Sequence, residues 1–169
     1  MSANPMTWSF RARFGAGFAA CAGLMGYALF AQHVQGLEPC PLCVFQRVAM
    51  IALGLVFLLG FLHGPRGAVG RWIYAVLAVV AAGVGVGVAG RHVWLQSLPP
   101  DEVPACNLMS LDYMREAFPM REVVSRVLSG SGECAEIDWT FLGLSMPGWV
   151  LVWFVLLAAW AAWAGLSRR

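Results

Sequence analysis

The chain contains no lysine, and only 12% of its residues are charged. Soluble domains carry about twice that share, so a water-solvated globule is excluded and a membrane-embedded protein is indicated. The eleven basic residues are all arginine, the net charge is only +2, and no basic cluster is dense. Nothing therefore argues for nucleic-acid binding. Acidic residues are missing from most of the chain: of nine, Glu38 stands alone and the other eight fall between positions 91 and 146. What is plentiful is apolar surface, with 60% of residues hydrophobic.

A membrane-crossing helix needs roughly 20 apolar residues. Four stretches have about that length, over 14–32, 44–62, 72–90 and 147–166. The first is uncharged, and the second is interrupted once, by Arg47. The fourth carries Trp149, Trp153, Trp160 and Trp163. Gly83 and Gly87 are expected to give the third span a small-residue face for close packing. Arginines set the orientation: Arg11 and Arg13, Arg66 and Arg71, and Arg168 and Arg169 fall on one side of four spans, expected to be the cytoplasm. The opposite side receives loops 33–43 and 91–146. Gly26-Tyr27-Ala28 offers a small-residue cleavage site, but the first apolar run is longer than a typical signal segment and reads as a span. The expected fold is an all-α, four-transmembrane-helix bundle forming a single membrane domain over 1–169. A short interfacial helix is expected near 120–128 of the second loop, where apolar and charged residues alternate at helical spacing.

Cys40, Cys43, Cys106 and Cys134 all fall on the outer side, while Cys21 lies alone within the first span. An oxidising compartment permits disulfides there. Four cysteines allow three pairings, of which Cys40 with Cys43 and Cys106 with Cys134 are the natural resting pairs by spacing. Cys40-Pro41-Leu42-Cys43 closes too small a ring to be useful as a staple, which points to redox activity. The second span is expected to start at or just after Cys43, where the helix macrodipole favours a thiolate. Arg47 follows one turn later on the same face. A charge so close to a span marks a functional site, with Arg47 placed to stabilise the Cys43 thiolate, a reduced quinone oxygen or both. Gln46 adds a hydrogen-bonding group beside it. His92, just past the third span, could donate to a quinone carbonyl. A bland reading exists for each: Arg47 snorkelling, His92 as an interfacial polar residue, and the second pair as a structural disulfide. No metal is expected, because the 28-position interval of the second pair lacks the short spacing of four-cysteine zinc sites. Cys106 follows a proline-rich stretch (Pro99, Pro100, Pro104) that favours extended chain and could lie in another protein's groove. Cys134 follows Ser129-Gly130-Ser131-Gly132, a flexible stretch.

The chain resembles the bacterial disulfide bond formation protein B family, DsbB. The resemblance rests on Cys40-Pro41-Leu42-Cys43-Val44-Phe45-Gln46-Arg47, on Arg91-His92-Val93-Trp94-Leu95-Gln96, and on Gly132-Glu133-Cys134-Ala135-Glu136 through Trp139, Phe141-Leu142-Gly143-Leu144, Met146-Pro147 and Trp149, in that order over nearly the whole chain. It implies an inner-membrane bundle holding ubiquinone, or menaquinone, and a soluble periplasmic partner, the DsbA-type thiol oxidase. Carried over by motif, Cys106 forms the mixed disulfide with the partner. Cys134 resolves it by pairing with Cys40, and Cys43 faces the quinone with Arg47 and His92 supporting the ring. The expected activity is that of a thiol:quinone oxidoreductase. A DsbA-type partner is itself a strong oxidant, at about −120 mV, so electron removal by quinone supplies the driving force. The rival readings are a vitamin K epoxide reductase-type quinone reductase, whose C-x-x-C is expected late in the chain, and a non-enzymatic scaffold or metal-handling protein with structural disulfides.

Overall fold

Helix ends in this chain are set by individual side chains, and those ends position the cysteines. The computed structural model describes residues 8–99, 101–103, 119, 121, 132–137 and 139–167. Helix α1 spans Phe10–His33, opened by Ser9, whose hydroxyl accepts from the Ala12 N–H at 3.3 Å. Helix α2 spans Pro41–His63. Its N-cap is Cys40, and Pro41 follows in the first turn, where a missing N–H costs nothing. It ends at Gly64, which takes the left-handed conformation (φ 55°) that favours glycine and donates its N–H to Gly60 at 2.9 Å. Helix α3 spans Ala68–Gln96 and stops at Ser97, just before Pro99 and Pro100. Helix α4 spans Met146–Leu166. At 1.5 Å per residue, the 21 residues of α4 cover about 31 Å, enough for the hydrocarbon core.

Four helices are thus long and apolar enough to cross a membrane. Their outward faces carry Ile51, Leu55, Leu59, Val76, Val80, Val84 and Leu156, all exposed. Such an apolar belt suits lipid and not water. This is a multi-pass membrane protein built as a helical bundle, as the sequence predicts.

The helices pack as sequential neighbours, α1 on α2, α2 on α3, and α3 most extensively on α4, while α1 and α4 meet only sparsely. Phe14, Phe57 and Phe154 are fully buried at the centre. Phe14 meets Phe57 edge-on at 5.1 Å between ring centroids. Glycines make room for these rings: Gly17 lies against Phe57, Gly60 against Phe14 and Gly85 against Phe154. At the arginine-rich end, the Arg11 guanidinium donates to the Phe61 carbonyl at 2.9 Å, satisfying a terminal acceptor of α2. Arg13 is buried and stacks over Trp163 at 4.2 Å.

Three expectations need correction. The second span starts at Pro41, not at or after Cys43, because the Cys40 sulfur and Pro41 satisfy the first turn, which an apolar count cannot register. The third helix runs on past residue 90 to Gln96, carrying His92 inside it. The small-residue face is not formed by Gly83 and Gly87: both are exposed, and a Cβ added to either meets nothing within 4 Å among the described residues. The seam against α4 runs instead through Ala75, Ala78, Ala82, Gly85 and Ala89, all buried.

That correction yields a paired prediction. Gly85→Ala places a methyl group inside the Phe154 ring and should destabilise the bundle by about 1–3 kcal/mol, as overpacking does. Gly83→Ala meets open space and should be neutral or stabilising by up to about 1 kcal/mol through helix propensity. Thermal unfolding of the two variants in one detergent checks this; equal melting temperatures would dismiss the seam.

Beyond the helices, Gly132–Cys134 forms a short 3-10 turn. A two-stranded antiparallel hairpin, β1 (Thr140–Phe141) and β2 (Leu144–Ser145), leads into α4. Its two-residue turn has positive φ at both Leu142 (51°) and Gly143 (81°), as the type I′ connection requires. Sequence reading did not foresee this hairpin. Apart from Arg121, the interfacial helix expected over 120–128 lies outside the described residues, as does Cys106.

Candidate functional site

The end of the bundle opposite the arginine-rich connection gathers the sulfur chemistry. Cys40 is held extended (φ −63°, ψ 164°) as the N-cap of α2, and its Sγ accepts from the Cys43 N–H at 3.3 Å. Three residues of α2 bring the Cys43 Sγ back to within 2.9 Å of it. A small side-chain rotation brings the sulfurs to bonding distance, about 2.05 Å. Both cysteines are half-buried.

The α2–α3 contact supplies the next groups. His92 is only 2% exposed, with Nε2 at 3.8 Å from the Cys40 Sγ and Nδ1 at 4.0 Å from the Cys43 Sγ. Gln46, buried one turn along α2, places its amide nitrogen 3.0 Å from His92 Nδ1. An imidazole thus sits against both sulfurs, held from behind by an amide. Sequence spacing cannot show this, since residues 43 and 92 meet only through helix packing.

Arg47 turns the other way. Its guanidinium donates to the Gln32 side-chain oxygen and, at 3.2 Å, to the Ala28 carbonyl, both on α1. It therefore ties α1 to α2 beside the cysteine pair, with its charge held at that spot. Gln32 was not singled out by sequence reading; a glutamine at the end of an apolar run reads as an interface residue.

Cys134 is fully buried in a small apolar cluster with Leu42, Val88 and Leu95, against which Cys40, Phe45 and Leu98 also pack. The turn carrying it is closed by Ala135 N–H to the Gly132 carbonyl at 3.0 Å. Gln96, at the end of α3, donates to the Glu136 carbonyl at 3.4 Å and accepts from the Ser145 hydroxyl at 2.6 Å. One glutamine thus ties the segment after Cys134 and the start of α4 to the same helix that carries His92. Of the predicted site residues, Cys40, Cys43, Gln46, Arg47, His92 and Cys134 come together at one end of the bundle. Cys106 lies outside the described residues.

These groups form one end of a cavity of about 660 Å³. Cys40, Cys43, Gln46, Arg47, His92 and Gln96 supply polar groups, Glu38 and Glu136 also line it, and α1 contributes Leu24, Tyr27 and Ala31. Across from them stand Trp139, Phe141, Trp149 and Trp153. The aromatic wall is itself cross-linked: the Trp149 indole N–H donates to the Phe141 carbonyl at 2.9 Å, and Tyr27 of α1 meets Trp139 at 6.4 Å between centroids. The hairpin therefore spans part of the gap left where α1 and α4 barely touch.

A dithiol inside a membrane-crossing bundle, facing an aromatic cavity, defines a membrane protein of thiol–disulfide chemistry. The relatives agree: the family model "Disulfide bond formation protein DsbB" matches residues 10–164, and the chain belongs to that family. A disulfide bond formation protein B from Xanthomonas euvesicatoria pv. vesicatoria is 56% identical over 166 residues, covering 98% of this chain and 96% of that one. One from Marinobacter nauticus is 54% identical over 155 residues, 92% of this chain and 91% of the other. One from Acinetobacter baumannii is 57% identical over 139 residues, 82% and 81% respectively.

Proposed function

We propose that this protein is a thiol:quinone oxidoreductase that reoxidises a DsbA-like periplasmic dithiol oxidase and delivers the electrons to the membrane quinone pool, ubiquinone or menaquinone. In this reading it sits in the bacterial inner membrane with both termini in the cytoplasm and both cysteine loops in the periplasm. The observation that carries the proposal is the placement of Cys40 and Cys43, among the polar residues Glu38, Gln46, Arg47, His92, Gln96 and Glu136, in a cavity whose remaining lining is apolar and aromatic. Ligand pockets of about 300–1,000 Å³ with apolar walls and a few convergent polar groups suit a small, largely apolar molecule. A quinone ring and the first part of its tail have that character.

The chemistry balances without further reactants. A reduced partner attacks the Cys106–Cys134 disulfide at Cys106 and leaves as a disulfide, so two electrons and two protons enter the second pair. Cys134 pairs with Cys40 during exchange, and the electrons move to the first pair. Its position against Cys40 in one apolar cluster supports that step, because exchange needs thiolate and disulfide sulfurs to meet. A quinone, when bound, supplies an acceptor for two electrons and two protons. Cys43 is the thiol assigned to face it. Gln46, Arg47 and His92 provide donors at that end of the cavity, and the tryptophan wall excludes water.

The proposal predicts that purified wild-type protein consumes quinone when given a reduced DsbA-type partner, with one quinone used per partner disulfide formed. Quinone absorbance and partner thiol content, followed together, measure both. Partner oxidation that proceeds equally without quinone would refute the coupling.

A further inference from the structure

Cys40, Cys43 and His92 are also Lewis bases. One ligating atom from each, two Sγ and an imidazole nitrogen, all lie within 4.8 Å of one another. We propose that the reduced dithiol and His92 together bind a thiophilic divalent cation, Zn²⁺ or Cd²⁺, and that the bound ion blocks turnover. Binding releases two protons from the two thiols and oxidises nothing. The disulfide form has no thiolates to offer, so the site exists only in the reduced protein.

Geometry carries the proposal. Zinc lies about 2.3 Å from thiolate sulfur and about 2.0–2.1 Å from imidazole nitrogen in tetrahedral sites, which places ligand atoms roughly 3.5–3.8 Å apart. Cys40 Sγ and His92 Nε2 already stand at 3.8 Å. The sulfurs, at 2.9 Å, need to open by less than about 1 Å to meet the same tetrahedron. Two cysteines separated by two residues is a pairing that zinc sites commonly use. The sequence shows only that half, because the third ligand lies 49 positions on and arrives through the α2–α3 contact.

The surroundings suit a metal as well. Two thiolates cancel the charge of a divalent ion, which removes most of the cost of holding it away from water. A ligating imidazole keeps its other nitrogen on a hydrogen-bond partner, and buried Gln46 lies 3.0 Å from His92 Nδ1. With its amide turned so that the oxygen faces the ring, Gln46 accepts from Nδ1–H while Nε2 takes the ion. All three ligating residues line the cavity, so an ion held between them also obstructs the space assigned to the acceptor.

The binding claim rests on geometry; the inhibition claim rests on the proposed function, and the two are tested separately. Full-length protein carrying Cys106→Ser and Cys134→Ser is reduced with a phosphine and titrated with Cd²⁺ alone, reading the ultraviolet sulfur-to-cadmium charge-transfer band. One ion per chain is expected in the reduced form and none in the disulfide form. Removing His92 as a ligand by His92→Ala should weaken binding at least about tenfold, and Gln46→Leu about tenfold to a hundredfold, as loss of an outer partner does. No band in the reduced protein, or unchanged affinity in folded His92→Ala, overturns the site. If His92→Ala does not fold, unchanged affinity in Gln46→Leu does so. In wild type, Zn²⁺ should stop partner-driven quinone consumption and a chelator should restore it; binding without inhibition overturns the blocking claim. A wild type that consumes no quinone before metal is added counts against the oxidoreductase reading, not against the metal site.

Discussion

Replacing Cys43 with serine should lower partner-driven quinone consumption to the uncatalysed background, a loss of at least about 1,000-fold when the nucleophilic group of a thiol-dependent step is removed. Serine is close to cysteine in shape, and the Cys43 site is half-buried at the first turn of α2, so the fold should survive. What disappears is the sulfur 2.9 Å from the Cys40 Sγ. A hydroxyl cannot form a disulfide, and its proton is not lost near neutral pH. The variant should still react with the reduced partner, because Cys106 and Cys134 are intact, but only until that pair is reduced. A single stoichiometric burst of partner oxidation followed by no turnover is the expected trace. Sustained turnover in Cys43→Ser would remove the assignment of that residue.

The second large effect should come from Arg47→Ala, read as a raised KM for quinone of about 10–100-fold. Its guanidinium reaches the Gln32 side chain and the Ala28 carbonyl, and Arg47 and Ala28 line the cavity. Truncation removes a fixed positive charge from the polar lining of the cavity. It also removes the charged donor to the Gln32 side-chain oxygen and the extra donor to the Ala28 carbonyl. A charge-assisted hydrogen bond from the guanidinium to a bound quinone oxygen would contribute about 1.5–3 kcal/mol, roughly tenfold to a hundredfold in binding. Arg47→Lys keeps the charge but not the planar two-pronged reach, so it should recover part of the affinity. If the charge alone mattered, lysine would restore it fully; if only the tie to α1 mattered, Gln32→Leu would reproduce the alanine variant. Turnover driven at saturating quinone separates this effect from a general loss of structure.

Much of the architecture was legible because the bilayer imposes simple demands. Span length, the arginine bias and the clustering of acidic residues need only counting, and they place Cys40, Cys43 and Cys134 at the same end of the bundle, where the structure puts them. Harder to read was anything that depends on which face of one helix meets another. Gly83 and Gly87 sit at a spacing that suggests a packing face, yet the burial of the Phe154 ring selects Gly85 and its alanine neighbours. Gln32 and Gln96 look like ordinary polar residues at span ends, and Gln46 is legible only as a hydrogen-bonding neighbour of Arg47. Only in three dimensions does one fix an arginine, one pin the segment after Cys134, and one back a histidine. The hairpin was missed for a local reason: Leu142 occupies a left-handed position that leucine seldom takes, so no turn signal marks it beyond Gly143.

The complete burial of Cys134 beneath Leu42, Val88 and Leu95 has a kinetic corollary. A sulfur with no water contact cannot be struck by thiols diffusing through the surrounding solution. Its reaction with any such molecule is slowed by the small fraction of time the Gly132–Cys134 turn spends lifted away. Stray glutathione-sized thiols are thereby kept from this sulfur, which is left to whatever can prise that turn open or already lies underneath it.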